Sequence, residues 1–242
     1  MTDFVLLWLY LASTPLFGLT ATLLAYVLAH TLYTLLNQAP WANPVLWSVV
    51  VLAGGLAFSD VAYPTYFSGA QFIHFLLGPA VVALGWPLWL RRAELRRYGW
   101  RLAIAATLGG AAAATSAAAL AWTLDLPSDT LWSLVPKSVT APVAMGVAEA
   151  IGGIPALAAV FAVITGMIGA LSARALFGLM GLGQSDVDWR IRGFALGTAA
   201  HGIGAARALH VNPDAGAYAG LALGLQVLLA SVLIPMVSRL WA

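Results

Sequence analysis

An all-α integral membrane protein with about six to eight membrane segments, some of them broken or re-entrant, is the fold class that the sequence predicts. Hydrophobic residues make up 62% of the 242-residue chain and charged residues only 8%, whereas a soluble domain carries about 25% charged residues. Four long stretches contain no Asp, Glu, Lys or Arg: those between Asp3 and Asp60, Asp60 and Arg91, Arg101 and Asp125, and Asp214 and Arg239. Each exceeds the roughly 20 apolar residues that cross a bilayer, so we expect the chain to fold in lipid.

Hydropathy and helix-breaking residues predict membrane spans at about 15–36, 44–59, 71–90, 100–123, 153–176 and 216–238. The first span is expected to stay in the protein, because neither a basic stretch nor an Ala-x-Ala cleavage motif accompanies it. No segment is long and polar enough for a separate soluble domain. Residues 1–242 are therefore interpreted as one membrane domain.

Basic residues cluster in one loop, which carries Arg91, Arg92, Arg96, Arg97 and Arg101. The positive-inside rule places such a loop on the cytoplasmic side of the membrane, and a topology signal is its simplest interpretation. The net charge of +2 is too small to indicate nucleic-acid binding. We expect the lipid bilayer, and no nucleic acid, to be a partner of the chain.

Two further apolar segments, 130–150 and 193–209, are expected to contain non-helical backbone at membrane depth. Pro136 and Pro142 interrupt the first, and several glycines loosen the second. Such backbone is tolerated in a bilayer only where it is buried in protein or lines a wet cavity. Because a short Gly-Gly link separates the first segment from the next span, that segment is interpreted as re-entrant.

A third broken segment surrounds Gly78 and Pro79 in the first half of the chain. Interrupted apolar segments in both halves are the sequence pattern of transporters with internal repeats. An inverted repeat is therefore a hypothesis, although no residue-level repeat is present in the sequence.

Lys137 is the first ionisable residue with candidate chemistry, because a charge in the bilayer needs a partner, a cavity or a function. It lies between prolines and beside Ser138 and Thr140. A half-helix that begins at this break would direct backbone N–H groups toward a bound anion, so the group suits a carboxylate. The alternative is a lysine that snorkels from a short loop to the interface.

His201, Arg207 and Glu149 are the other candidates in apolar surroundings. His201 titrates near neutral pH, which suits proton coupling, although a packing histidine is the alternative. Arg207 offers a planar fork for a carboxylate or is the basic end of a helix. Glu149 is a candidate ion-pair partner or proton carrier, or else a solvated loop-end carboxylate. Gln226 lies in an apolar run and is interpreted as a packing residue.

Enzymatic motifs are missing from the sequence. It contains no Gly-x-Ser-x-Gly, no His-Glu-x-x-His and no Walker loop. It also contains no cysteine, which excludes disulfides and thiolate metal sites. The sequence therefore predicts a protein that is not an enzyme, with no catalytic residues, no cofactor and no metal.

Four motifs, taken in order, resemble the LrgB/CidB family of membrane proteins: LLGPAVVAL at 76–84, PKSVTAPVAM at 136–145, GGIP at 152–155 and GTAAHGIG at 197–204. The likeness is weakest before about residue 70. The chain departs from the family pattern at Val81, Ala141 and Ala200, where hydroxyl-bearing residues are common, so a substrate contact from those side chains is absent here.

The resemblance implies two kinds of function. Bacterial members are described as antiholin-like regulators of murein hydrolase activity and autolysis. A plant plastid member is a glycolate/glycerate translocator, and some bacterial members move pyruvate. Partnership with a smaller LrgA/CidA-like membrane subunit is also implied, and self-association of the chain is left open.

The preferred hypothesis is a carrier for a small monocarboxylate or hydroxy-acid, in which the broken segments meet near the bilayer midplane. Its expected substrate-binding residues are Lys137, Ser138, Thr140, Thr198, His201, Arg207, Gly78 and Pro79, with His201 or Glu149 coupling a proton. The rival is a holin-like or antiholin-like regulator of cell lysis. A bacterial inner membrane is the expected location, because no transit peptide precedes the first span.

Overall fold

The structure is a computed structural model that describes residues 15–76, 79, 82–83 and 85–240. These residues form α-helices joined by short turns, which confirms the predicted all-α class. The chain divides into two compact units, Met1–Ala80 and Val81–Ala242.

Among its described residues, the first unit contains three helices, α1 (Pro15–Leu35), α2 (Pro44–Ser59) and α3 (Tyr63–Phe75), with a short 3-10 turn at Pro40–Ala42. The Asn43 side chain accepts hydrogen bonds from two N–H groups in the first turn of α2 and so fixes where that helix begins. Gly18 lets α1 approach the backbone of α3, since a Cβ there would overlap the Tyr66 carbonyl oxygen. The hydroxyls of Thr22 and Tyr66 join the two helices at 2.7 Å.

The second unit contains the remaining helices: α4 (Gly85–Leu90), α5 (Arg92–Thr123), α6 (Ser128–Leu134), α7 (Ala141–Ala150), α8 (Pro155–Leu179), α9 (Asp186–Val211) and α10 (Pro213–Ser238). Within the described residues, four helices are long and apolar enough to cross a membrane, namely α1, α5, α8 and α10. Large apolar side chains on them face outward, as at Leu108, Ile168 and Val232. A surface of this kind fits lipid and not water.

Residues Ser128–Ala150 form a first re-entrant hairpin, made of α6, a non-helical link at 135–140 and α7. The Ile154 N–H donates to Ser133 Oγ at 2.7 Å, so the chain returns after α7 to the end of α6. Neither arm is long enough to cross a bilayer, since the arms hold 7 and 10 helical residues and a crossing takes roughly 20. The segment therefore leaves on the face where it entered, in agreement with the prediction.

Residues Asp186–Val211 form a second re-entrant hairpin, because α9 is not continuous. His201 has φ 40° and ψ −133°, which breaks the helix into two arms. The arms fold back on each other, since a Cβ on Gly204 would lie 2.7 Å from the Leu196 carbonyl oxygen. In a straight helix residues eight apart are separated by about 12 Å along the axis.

The first arm of the second hairpin packs parallel to α10 at very short distance. A Cβ on Gly193 would overlap the backbone of Ala215, and one on Gly197 would overlap that of Ala219. Glycines spaced by four residues let two helix backbones approach in this way. A capping box begins this arm, in which Ser185 and Asp188 exchange hydrogen bonds. The bonds from Ser185 hold the pKa of the Asp188 carboxyl below its ordinary value.

The two hairpins enter the second unit from opposite ends of α8. The base of the first hairpin adjoins the beginning of α8, and the second hairpin follows the end of α8. Each hairpin is followed by a long helix that begins with proline, Pro155 in α8 and Pro213 in α10. Residues 128–179 and 186–238 therefore repeat one arrangement in opposite orientation, the geometry expected of an inverted repeat.

The Arg91 end of α5 lies on the same face as the base of the second hairpin. Arg91 approaches Asp214 at 3.9 Å, and the guanidinium groups of Arg91 and Arg190 both lie over the Tyr218 ring. Arg91 also pairs with Glu94 at 2.6 Å. The basic loop and Arg190 thus share one side, which the re-entrant interpretation of 130–150 requires.

Several helices begin earlier than hydropathy predicts. At the two ends of the predicted span 71–90, the structure describes α3, which begins at Tyr63 and ends at Phe75, and the short helix α4. Residues 77, 78, 80, 81 and 84 of that span lie outside the described residues. Polar residues at the beginning of α3 lower its hydropathy, although Pro64 favours a helix start there. The first turns of α5 carry arginines, so a hydropathy window begins that helix near residue 100 and not at Arg92.

Candidate functional site

Lys137 lies in the non-helical link of the first hairpin, between α6 and α7. Its Nζ donates to the Ala113 carbonyl oxygen of α5 at 3.3 Å, and its side chain is half-buried. Ala113 is ten residues before the end of α5 at Thr123, which places the lysine head group about 15 Å from that end of the helix. The ammonium group is therefore held at depth and does not reach the nearer interface.

The hairpin tip carries polar groups that no protein group uses. Ser138 is buried and Thr140 is the N-cap of α7, yet neither hydroxyl hydrogen-bonds to another described residue. The N–H groups of Thr140 and Ala141 likewise have no backbone acceptor within the described part of the chain. These groups and the α7 dipole favour a negative charge beside Lys137.

Side chains from both hairpins and from α10 contact one turn of α5. A Cβ on Gly109 would lie 2.9 Å from the Thr198 methyl group, and one on Gly110 would overlap the Gln226 carboxamide. Ala113, the acceptor for Lys137, lies between these two glycines in helical projection and one turn further along. The Gly109–Ala113 turn is thus the place where the first hairpin, the second hairpin and α10 meet, and we name it the α5 contact turn.

Thr198 presents its methyl group, and not its hydroxyl, to the α5 contact turn. Its Oγ1 donates to the Phe194 carbonyl oxygen at 2.9 Å within the first arm of the second hairpin. The hydroxyl proton is therefore committed to the helix, and only the oxygen lone pairs remain for another donor.

His201 forms the tip of the second hairpin and is only 3% exposed. Its Nε2 lies 2.8 Å from the Ala162 carbonyl oxygen of α8. Because a carbonyl only accepts, Nε2 carries the hydrogen and Nδ1 is the nitrogen left to bind a proton. The ring packs against Gly166, where a Cβ would lie 2.8 Å from Cε1.

Arg207 and Glu149 take no part in the hydrogen bonds of Lys137 and His201. Arg207 is half-buried in the returning arm of the second hairpin, and Glu149 is exposed in the last turn of α7. Neither makes an ion pair or hydrogen bond with another residue in the described ranges. Pro79 is exposed in the first unit, and Gly78 lies outside the described residues.

Sequence reasoning missed Ser133, Gln226 and the two glycines of the α5 contact turn. Ser133 is fully buried and bonds both the Asp129 carbonyl oxygen and the Ile154 N–H. Of these residues, Gln226 is the one that the sequence could best have indicated as a site residue, because it is a carboxamide in a part of α10 without charges. Among the described residues, no group of three or more His, Asp or Glu side chains is arranged to hold a metal ion.

Fold and site together define a multi-spanning α-helical membrane protein with two opposed re-entrant hairpins whose tips carry a lysine and a histidine. The model of the LrgB-like family matches residues 22–240, so the chain belongs to the LrgB-like family.

Relatives match over most of their length. The chain is 34% identical to the uncharacterized protein YwbG of Bacillus subtilis, over 82% of this chain and 86% of that protein. It is 28% identical to the holin-like protein CidB of Staphylococcus epidermidis, over 91% and 94%. It is 29% identical to the antiholin-like protein LrgB of Bacillus mycoides, over 92% and 95%. No solved structure matches the chain.

Proposed function

We propose that the protein carries a small monocarboxylate or hydroxy-acid across the membrane. The observation that carries this proposal is the tip of the first hairpin, where a deeply placed lysine adjoins hydroxyl and N–H groups without protein partners. An ammonium group at membrane depth is expensive unless it has a counter-charge. A transient anion supplies that counter-charge, whereas a packing residue would not need the free donors around it.

In this proposal the carboxylate takes the place of the Ala113 carbonyl oxygen at Lys137. The exchange replaces a neutral acceptor with a charged one, and hydrogen bonds between charged groups are shorter and stronger. The hydroxyls of Ser138 and Thr140 and the N–H groups of Thr140 and Ala141 hold the second carboxylate oxygen. One lysine balances one carboxylate, which favours monocarboxylates over dicarboxylates.

The second hairpin supplies the proton-binding part of the proposal. His201 Nδ1 is the group that would take a proton, while Nε2 stays on Ala162. Glu149 and Arg207 would act nearer the hairpin bases, on the route to the site. In this proposal each hairpin would serve one membrane face, as alternating access requires.

A second candidate function is regulation of cell lysis, and the names of the relatives favour it. Holin-like and antiholin-like proteins of similar length match the whole membrane region. In this alternative the chain acts through oligomeric pores or through a smaller LrgA/CidA-like subunit in the bacterial inner membrane. A pore passes solutes without saturation, whereas a carrier saturates and discriminates among carboxylates.

The test is uptake of labelled pyruvate and glycolate into liposomes that contain the purified protein, with and without a pH gradient. We expect saturable uptake that falls at least about tenfold in Lys137→Met, because one charge-assisted hydrogen bond is worth about 1.5–3 kcal/mol. Arg96→Met is the matched control, since it removes an exposed cation of the basic loop.

Two results would contradict the carrier proposal. Normal uptake by a folded Lys137→Met variant would remove the lysine from the site. Rapid leakage of an encapsulated neutral dye, without saturable carboxylate uptake, would favour the pore of the second candidate.

A further inference from the structure

We propose that Gln226 is a second recognition residue of the same site and that its carboxamide binds the oxygen on carbon 2 of the transported acid. The inference rests on the proposed carrier function and adds a residue that discriminates substituted from unsubstituted carboxylates. It reassigns a side chain that the sequence suggests to be a packing group.

Gln226 is a buried polar side chain without a protein partner. Only 3% of it is exposed, and within the described residues its carboxamide makes no hydrogen bond. The amide nitrogen and oxygen keep some accessible surface, because neither is among the fully enclosed side-chain atoms without a partner. A residue that only filled space in α10 would be apolar, as its buried neighbours Leu223 and Val227 are.

The carboxamide is directed at the α5 contact turn. It lies over Gly110, where a Cβ would overlap it, and Lys137 bonds the Ala113 carbonyl three residues further along. Residues three apart on a helix share one face and are separated by about 4.5 Å along the axis. The amide and the ammonium group therefore contact neighbouring positions on the same face of α5.

The two side chains are suited to different functional groups of the substrate. Lys137 offers a charge and takes the carboxylate, whereas the neutral amide offers two donor hydrogens and an acceptor oxygen. A keto oxygen accepts from the amide nitrogen, and a hydroxyl accepts or donates. Both 2-oxo and 2-hydroxy acids can therefore form a hydrogen bond with the amide, whereas propionate and acetate cannot.

The experiment measures how well unlabelled pyruvate, lactate and propionate inhibit labelled pyruvate uptake in liposomes. We expect pyruvate and lactate to inhibit about tenfold better than propionate in the unchanged protein, the value of one neutral hydrogen bond of about 1.4 kcal/mol. Gln226→Met preserves the side-chain length. In this variant, inhibition by pyruvate and by lactate should fall to the level of inhibition by propionate, and inhibition by propionate should be unchanged.

A second variant tests the same point without altering the glutamine. Gly110→Ala places a methyl group against the flexible end of Gln226, so it should displace the amide and lower the same ratio even if Gln226→Met does not fold. Gly146→Ala is the control, because no atom lies within 4 Å of its Cβ position.

The outcomes separate the two proposals. An unchanged preference for pyruvate over propionate in both variants would overturn the role of Gln226 and leave the carrier function standing. An equal loss of inhibition by all three acids would show that Gln226 has a structural role, and it would also overturn the proposed recognition role. If the unchanged protein shows no saturable uptake of any acid, the carrier function itself fails.

Discussion

The two re-entrant hairpins reverse direction in different ways. The first turns through a six-residue link, 135–140, which leaves hydroxyl and N–H groups unbonded around Lys137. The second turns at the single residue His201, whose ring is buried and bonded to α8. The turn at 135–140 therefore has groups that are free to bind and release a ligand. The turn at His201 is instead held in place by its bond to α8.

The difference shows that equal topology does not mean equal chemistry. A turn made of one residue needs a side chain to hold it, and the bond to Ala162 does this for His201. A turn made of six residues holds itself through local backbone bonds, such as those from Lys137 to Leu134 and from Val139 to Pro136. Side chains in the longer turn are consequently free for binding.

The largest expected effect tests whether the second hairpin lies as close to α10 as described. Gly197→Val should abolish the folded protein, because its Cβ would overlap the Ala219 backbone, and we expect a loss above about 4 kcal/mol. The measurement is the yield of monodisperse protein by size-exclusion chromatography in detergent. Gly146→Val in the first hairpin is the control, because that position is open; equal yields from both variants would disprove the close packing.

A smaller effect separates structural from free serines in the first hairpin. Ser133→Ala should lower the unfolding free energy by about 1–3 kcal/mol, since the Ile154 N–H loses its acceptor in a buried place. Ser138→Ala is the matched variant, because Ser138 is also a buried residue but its hydroxyl makes no hydrogen bond to a described residue and keeps some accessible surface, and it should change stability little. Thermal unfolding in detergent compares the two, and an equal loss in both would refute the assignment of Ser138 as a free ligand group.

The smallest effect tests the tight turn itself. His201→Gly should be more stable than His201→Ala by about 1 kcal/mol, because φ 40° and ψ −133° are adopted readily only by glycine. At Ala199, an exposed position in the arm before the turn, glycine should be less stable than alanine by a similar amount. Thermal unfolding of the four proteins measures both differences, and the same order at both positions would mean that α9 is continuous.

Local signals in the sequence predicted part of this fold closely. The span 44–59 matches α2 (Pro44–Ser59), because Asn43, Pro44 and Asp60 mark its ends within a few residues. The re-entrant first hairpin followed from its prolines and the Gly-Gly link. The second segment was predicted to be broken, but nothing in its run of glycines and alanines indicates that it reverses at His201.

The site was only partly predictable because its contacts join distant parts of the chain. Lys137 could be selected as an isolated charge, but its acceptor on Ala113 is a backbone carbonyl, which has no sequence signature. The same holds for Ala162, which lies 39 residues from His201. Gly109 and Gly110 are inconspicuous beside an alanine-rich stretch until Thr198 and Gln226 are placed against them.

The packing of the hairpins has a consequence for the order in which the protein is made. The arms of the first hairpin are shorter than the roughly 20 residues recognised as a membrane span, and α7 packs against Leu223 and Val227 of the last helix. The first arm of the second hairpin also rests on that helix, at Ala215 and Ala219. Both hairpins therefore complete their packing only when α10 is in place, so the surroundings of Lys137 and His201 depend on the C-terminal helix.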